Sequence, residues 1–402
     1  MGRRMTGEAK VHGLSGNWVR PDWPFLTGPE VARLLQRFPA VGGAARVLTR
    51  SPRPFSAASV VETPQGKVFV KRHHESVRYR EGLLEEHRFM EYLRSHGARV
   101  PAVLTDEDGE TAIRIGEWTY EVHGLAEGLD LYEQALSWTP FRSTQQAHEA
   151  GRALAQLHLA AAGYDAPPRK AQTLVSSFTI FAAEQPWPVL ERYVAEREAL
   201  AEYLAKRDWR TQTEAALMPF QAGLQRWVSS LKPLWTQNDL HASNLLWSSD
   251  AEDAKVVSVI DFGLSDRTNA VHDLATAIER NGVQWLALED DIGNVVHSAQ
   301  IDALLRGYEE VRPLTDAEAH AVPAMLPLVH AEFALSETDY FLRVLRSEES
   351  ASIGWDGYFL GHAVWFRSDA GKRLLDQLEK WADGTPRAVL NGTKEQVGNV
   401  TT

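Results

Sequence analysis

The stretch Trp235-Thr-Gln-Asn-Asp239-Leu-His241-Ala-Ser-Asn244, closed downstream by Asp261-Phe262-Gly263, decides how this chain reads. An Asp and an Asn five positions apart, with a second Asp at the end of a following strand, place three hard oxygen ligands around one point. Between them, Asn244-Leu-Leu-Trp247 and Lys255-Val-Val-Ser-Val-Ile-Asp261 flank the polar turn Ser248-Ser-Asp-Ala-Glu-Asp-Ala254, which predicts a hairpin. Taken singly, Asp239 and Asn244 read equally as turn residues that satisfy their own backbone, and Asp-Phe-Gly is a common tripeptide. Their conjunction favours chemistry. Phosphoryl transfer needs this arrangement: one Asp accepts or orients the proton of an acceptor hydroxyl, while the Asn and the second Asp hold magnesium against the phosphates.

Working back toward the N-terminus, Val68-Phe-Val-Lys71 places a lysine at the end of an apolar strand, and Glu86 lies in a helical pattern fifteen residues on. At a cleft such a carboxylate would hold the ammonium over the phosphates; Glu85 is the neighbouring candidate, and a solvated charged helix face is the alternative for both. Around this pair, 45–50, 56–63 and 67–72 read as an antiparallel meander, Arg80 to His96 as a helix on that sheet, and 100–106, 111–116 and 118–124 as two or three further strands. A short helix over 29–38 precedes them, behind an irregular, strapped-down arm marked by Trp18, Pro21, Trp23 and Pro24. After Gly128 the patterns at 147–161, 188–207 and 213–231 are long helices, interrupted only by the hairpin.

The expected architecture is α+β and bilobal. A small antiparallel β-rich lobe with one main helix occupies residues 1–122 and binds nucleotide, a larger helical lobe carrying the catalytic loop and acceptor site occupies 123–383, and 384–402 form a flexible tail. The chain has 402 residues with 42 Lys+Arg against 54 Asp+Glu, and the resulting net charge of −12 leaves no general basic field for a nucleic-acid backbone. With no cysteine, disulfide scaffolds, thiolate nucleophiles and Cys-liganded metal sites are excluded. No apolar run approaches the roughly 18 residues that span a bilayer. The expectation is a cytoplasmic protein without nucleic-acid or membrane partners; the sequence carries no sign of oligomeric state.

With Asn238-Asp-Leu-His-Ala-Ser-Asn244, Val259-Ile-Asp-Phe-Gly263 and His272-Asp-Leu-Ala275 on the page, the chain resembles the aminoglycoside phosphotransferase, choline kinase and homoserine kinase superfamily, small-molecule kinases on a protein-kinase-like fold. The resemblance runs from about Leu34 to Asp273. It implies that Asp239 is the catalytic base, that Asn244 and Asp261 are magnesium ligands, that Lys71 binds the phosphates of ATP and that Glu86 is its partner. It also implies that Glu121 to His123 form a hinge presenting backbone groups to adenine, and that the acceptor is a small hydroxylated molecule: an aminoglycoside, amino alcohol, amino acid or sugar.

Two departures stand out. Gln237 occupies the place where the family carries a loop-holding histidine, and its amide can donate and accept as the imidazole does. The loop Ser51-Pro-Arg-Pro-Phe-Ser56-Ala-Ala-Ser59 has no glycine where a phosphate-covering loop favours close backbone approach, leaving Ser56, Ser59 and Arg53 to offer hydroxyls, amides and charge. That loop motivates the rival reading of an inactive nucleotide-binding scaffold; a Ser/Thr protein kinase is disfavoured because no Ala-Pro-Glu segment follows Asp261. Walker A, His-Glu-x-x-His and Gly-x-Ser-x-Gly patterns are absent. His241 reads as a structural hydrogen-bonding residue with acceptor contact as the alternative, and Asp273 as a helix N-cap. Glu332, Glu337 and Asp339 read as a solvated acidic face, with reception of a cationic acceptor as the alternative. Of the 13 tryptophans, most are expected in the core.

Overall fold

A computed structural model of the protein describes residues 22–384 apart from 44, 52, 134, 136, 137 and 289–294, together with the strand pair Ala9–Lys10 and Trp18–Val19. The tail expected from 384 lies outside the described residues, except that Gly384 ends the helix Asp369–Gly384.

β-Branched and aromatic residues build a five-stranded antiparallel sheet in the order Arg46–Val47, Ala57–Thr63, Gly66–His74, Trp118–Gly124, Ile113–Ile115. The meander therefore breaks at its end. Trp118–Gly124 inserts beside Gly66–His74, with Lys71 opposite Glu121, and leaves Ile113–Ile115 on the edge. Residues 100–106 form no strand beyond an isolated bridge from Val103 to His123. On one face, the helix Gly28–Leu35 starts in a capping box between Thr27 and Glu30 and buries Val31, Leu34 and Leu35 against Val61, Val68, Val70 and Val122. The helix Arg80–Ser95 behaves differently. Its buried Phe89, Met90 and Leu93 join the larger core shared with the helical part, and Phe89 lies 5.3 Å from Trp235 and 6.1 Å from Phe262, ring to ring. It thus ties the sheet to the segment carrying Asp261.

The C-terminal part is mainly helical. The expected long helix over 188–207 divides into Pro186–Ala195 and Glu198–Ala205, and that over 213–231 into Trp209–Ala216 and Met218–Val228, where Pro219 starts a new first turn. The hairpin forms as Leu245–Trp247 with Val256–Val259. A second strand pair, Pro233–Thr236 with Asp266–Asn269, brackets the stretch from Gln237 to Ser265 from both ends and was not anticipated. Trp235, Trp247 and Trp355 are fully buried, so these three are core. Among the described residues no helix is long and apolar enough to cross a membrane.

Beneath the site, helices Thr144–Ala161 and Ser298–Val311 cross at backbone contact. A methyl group on Gly151 would meet Leu304 O at 2.0 Å, and one on Gly307 would meet His148 O at 1.9 Å. Neither carbonyl can step aside without moving its helix. Gly223, inside Met218–Val228, has nothing within 4 Å of the same position. Gly307→Ala should therefore destabilise by ~1–3 kcal/mol or more, through overpacking, whereas Gly223→Ala should stabilise by up to ~1 kcal/mol, through helix propensity. Urea-unfolding midpoints of the two variants read both signs; equal shifts would refute the crossing.

Candidate functional site

The loop Gln237–Asn244 is held from behind by one carboxylate. Asp273 is fully buried and accepts from Gln237 N (3.1 Å) and Asn238 N (2.9 Å), while His158 Nε2 lies 3.0 Å from its Oδ2. The expected N-cap role is thus corrected: Asn269 caps the helix Ala270–Gly282, four residues earlier. Asn238 adopts a left-handed backbone (φ +62°) and spends its amide on Ser176 O and Leu264 O. Gln237 donates to Ile260 O at 3.0 Å and Asp261 O at 2.8 Å, bracing a second left-handed residue, Asp261 (φ +58°). Strain of this kind persists only where neighbours over-determine it, and two neighbouring loops here do so for each other.

Asp239 faces the cleft from this braced loop. Asn244, in the 3₁₀ turn Ala242–Asn244, donates its amide to Asp239 O (2.9 Å) and Oδ2 (3.3 Å), and Arg280 Nη2 lies 3.3 Å from Oδ1. Burial pushes the Asp239 carboxyl up to about 7; Arg280 opposes that rise and Asp261 adds to it. Arg280, only 6% exposed, is stacked 5.0 Å over the Trp138 ring. His241 does not hang free beside Asp239. Ser243 Oγ accepts from Arg53 Nη2 (2.9 Å) and lies 2.9 Å from His241 Nδ1, so its own proton points to Nδ1 and the ring hydrogen sits on Nε2, 3.7 Å from Asp239 Oδ2. Burial, reinforced by Arg53 and Arg280, holds this imidazole well below its ordinary pKa and hence neutral.

Lys71 donates to Asp261 Oδ1 at 3.3 Å. Burial opposes its charge, but Asp261, Glu121 and Glu86 overcome this and raise the ammonium above its ordinary value. Glu86 is nevertheless not its bonded partner, which corrects the expectation. Its carboxylate faces Arg169 Nη2 at 3.4 Å, and Arg169, buried between the Arg80–Ser95 helix and the Asp261 segment, also donates to Gly82 O, Gly263 O and Ser265 O. Glu85 is likewise engaged with Lys170 N. The hinge expectation is corrected as well. Glu121 and His123 lie inside a strand paired along its length to Gly66–His74, while Val122 O accepts from Leu104 N (2.8 Å) and Gly124 N donates to Ala102 O (2.9 Å) on the other side. Their main chain is committed to the sheet. The Glu121 side chain instead gathers His73 Nε2 (3.0 Å), His87 Nε2 (2.8 Å) and His123 Nε2 (2.8 Å), and these contacts hold it well below the usual carboxylate range despite burial.

One cavity of about 420 Å³ collects Ser56, Lys71, Asp239, His241, Asn244 and Asp261, and excludes Glu86, Glu121 and His123. It also takes in residues that sequence reasoning passed over or left in the background: Asp22, Arg53, His73, Arg78, Arg280 and Glu337. Glu332, Glu337 and Asp339 are buried, contrary to the solvated face. Glu332 caps the amides of Thr179, Ile180 and Phe181, whereas Glu337 lines the cavity with one oxygen lacking a hydrogen bond, its carboxyl pushed up to about 8 by burial. Asp22, from the arm, accepts from Tyr340 OH at 2.7 Å at the same end. No local signal marks Arg280, whose position follows from packing; Arg53 was named only as a source of charge in the glycine-free loop.

The donor set suits a hard divalent cation. Asn244 commits its nitrogen to Asp239, so its carbonyl oxygen is the end left for a ligand, and Asp261 already holds a cation, the Lys71 ammonium, on a side chain 44% open to the cleft. Asp261 and Asn244 would hold magnesium, and Lys71 and Arg53 the phosphates.

The profile of the phosphotransferase enzyme family matches residues 52–314. Among curated proteins, the homoserine kinase of Granulibacter bethesdensis is 25% identical over 252 residues, 61% of this chain and 66% of that one, and the homoserine kinase of Parvibaculum lavamentivorans 26% over 238 residues, 59% and 62%. The chain thus spans just under two thirds of the length of these relatives. Among solved structures, a microcompartment-associated aminopropanol kinase matches with TM-score 0.55 at 17% identity, covering 88% of this chain and 97% of that one, and an amicoumacin kinase with TM-score 0.54 at 15%, covering 90% and 95%. At such identities the likeness is one of fold, the bilobal protein-kinase-like α+β fold. Matched over more than half its length, the chain belongs to the phosphotransferase enzyme family.

Proposed function

We propose that the protein transfers the γ-phosphoryl group of ATP to a hydroxyl of a small amine-bearing molecule, with Asp239 as base, Asn244 and Asp261 as magnesium ligands, and Lys71 and Arg53 on the phosphates. The observation that carries this is the convergence, in one cavity, of a carboxylate held near neutral pKa with a second carboxylate already paired to a lysine. Relatives named homoserine kinase, and an amicoumacin kinase solved with AMP-PNP and Ca2+, support the nucleotide and the class of acceptor.

When bound, magnesium-ATP supplies the phosphoryl group, and the metal neutralises charge on the β- and γ-phosphates. The chain's own residues do the rest. Asp239 takes the acceptor's hydroxyl proton on a carboxylate oxygen as the acceptor oxygen bonds to phosphorus and the bond to the bridging oxygen breaks. Arg280 fixes the other carboxylate oxygen and orients it. Arg53, held on Ser243 Oγ, would offer from a side chain the positive field that a glycine-rich loop offers from its amides, which weighs against the scaffold reading. Burial lowers its pKa, yet Asp239 and Asp261 favour the charged form of this guanidinium. At the far end, the unsatisfied Glu337 carboxyl and Asp22 suit an ammonium between Phe333 and Tyr358. A cavity of about 420 Å³ favours a compact acceptor.

Asp239→Asn should cut kcat by ~10²–10⁴-fold while leaving magnesium-ATP affinity within about twofold, whereas Arg53→Ala should weaken nucleotide binding and rate together. Single-turnover assays with nucleotide titration separate the two, and near-wild-type turnover in Asp239→Asn would sink the assignment. For the pH profile, the base must be unprotonated, so kcat/KM should rise with pH through about 7 and then level off. Because Arg280 lowers the Asp239 pKa, Arg280→Gln should move that limb to higher pH; a limb that stays put would separate Arg280 from the base. Glu337→Gln should raise the acceptor KM roughly 10-fold or more, by removing a charged hydrogen-bond partner, at unchanged ATP KM. A neutral acceptor preferred by both forms would overturn the amine subsite.

A further inference from the structure

Among the described residues, two buried clusters outside the cleft bring together three metal-ligating side chains each. In one, His87, Glu121 and His123 are close-packed with His73, but their hydrogen bonds close: each Nε2 reaches the Glu121 carboxylate at 2.8–3.0 Å, and His87 Nδ1 lies 2.9 Å from Thr111 Oγ1. That network is complete as it stands.

The other is not. Glu279 comes from the helix Ala270–Gly282, His330 from the turn capping Ala331–Arg343, and His362 from the start of His362–Trp365. Their ligand atoms lie within 4.8 Å of one another, with all three residues buried. Glu279 Oε1 is 3.1 Å from His362 Nδ1 and 3.8 Å from His330 Nδ1. Yet Glu279 Oε1 and His362 Nδ1 form no hydrogen bond with each other or any other group, although both are cut off from water. A buried carboxylate oxygen and an imidazole nitrogen left in this state are costly unless something lies between them. Two ligands at ~2.1 Å from a tetrahedral cation sit about 3.4 Å apart, and the two observed separations bracket that figure.

We propose that Glu279, His330 and His362 form a binding site for a zinc-class divalent cation, separate from the magnesium site. Two imidazoles and a carboxylate select a borderline transition metal over magnesium, which prefers an all-oxygen shell. The surrounding shell is already arranged. Trp138 Nε1 donates to the second oxygen of Glu279 at 3.3 Å, Trp285 Nε1 donates to the Glu279 carbonyl at 3.0 Å, and the Trp285 ring lies flat on His362 at 3.8 Å. The cation would clamp three segments of the helical lobe from one side of the acceptor end, where Trp138 and Tyr358 line the cavity and Tyr358 lies 5.6 Å from His362. Arg280, one residue on from Glu279, carries the connection to Asp239.

The test uses the full chain, stripped with chelator, dialysed into excess magnesium and titrated with zinc alone. Elemental analysis should return one zinc per chain, and Tm should climb in proportion to the logarithm of free zinc. Glu279→Gln, which keeps the Trp138 contact, and His362→Gln should each lose the bound zinc and the zinc-dependent Tm rise while retaining wild-type far-UV circular dichroism. Asp261→Asn should keep both, which separates this site from the magnesium site. Zinc bound equally by wild type and Glu279→Gln, zinc lost instead in His87→Gln, or no zinc retained beside excess magnesium would each overturn the proposal. None of these outcomes bears on the phosphotransferase reading, whose test is turnover.

Discussion

Asp273 holds the architecture of the site together. A fully buried carboxylate is expensive to keep unless its lone pairs are filled, and here two successive main-chain amides, Gln237 N and Asn238 N, fill two of them while His158 fills a third position. In return, the loop that carries Asp239 is fixed to the helix that carries Arg280, so this carboxylate and its cation are set by one rigid element. Gln237 and Asn238 then pass the constraint to the Asp261 turn through its carbonyls and through Leu264 O. The left-handed backbones of Asn238 and Asp261 are tolerated because this anchoring is shared.

Electrostatics follows from the same framework. Asp239, Asp261 and Glu337 line one cavity with Lys71, Arg53 and Arg280, yet their pKa values are driven apart: Asp261 is held down by Lys71 and the Gly263 amide against its burial, Asp239 is raised to about 7, and Glu337 to about 8. Carboxylates lining one cavity thereby acquire two protonation behaviours, Asp261 held down and Asp239 and Glu337 raised toward neutrality or above. The two extremes sit where charge would be wanted: a permanent anion for a metal, and an acid able to release its proton when an ammonium arrives.

The features legible in the sequence were those written in short linear patterns. Asp239, Asn244 and Asp261 came from spacing, the hairpin between them from turn chemistry, and Lys71 from a strand ending, and the structure brings all four residues to one cavity. What the sequence hid was choice of partner. Glu86 meets Arg169, a residue 83 positions away, because that guanidinium is buried between the two elements; no local rule contains that contact. Asp273 satisfied the N-cap pattern, but Asn269 stood earlier and took the cap, freeing the carboxylate for long-range work. The acidic helix Ala331–Arg343 looked solvated by composition, yet Ala331 through Phe341 are all buried by the packing around it. Glu121 and His123 fell on a strand read correctly as a strand, but their side chains, pointing into a histidine cluster, were read for their backbone.

Arg78 and Arg169 both end on the carbonyl of Gly263, at 2.8 and 3.0 Å, and each also collects further carbonyls from separate segments. A carbonyl is the one recognition group that genetic drift cannot alter. Side chains around the Asp261 turn can therefore be replaced without untying the strand lobe from the helical lobe, while the two guanidiniums cannot, since a lysine ammonium is a compact point charge and cannot span the same forked set of acceptors. Inter-lobe alignment in this chain is thus asymmetric: it resides in two arginines, of which Arg78 also lines the cavity, and it is held through main-chain carbonyls whose own side chains take no part.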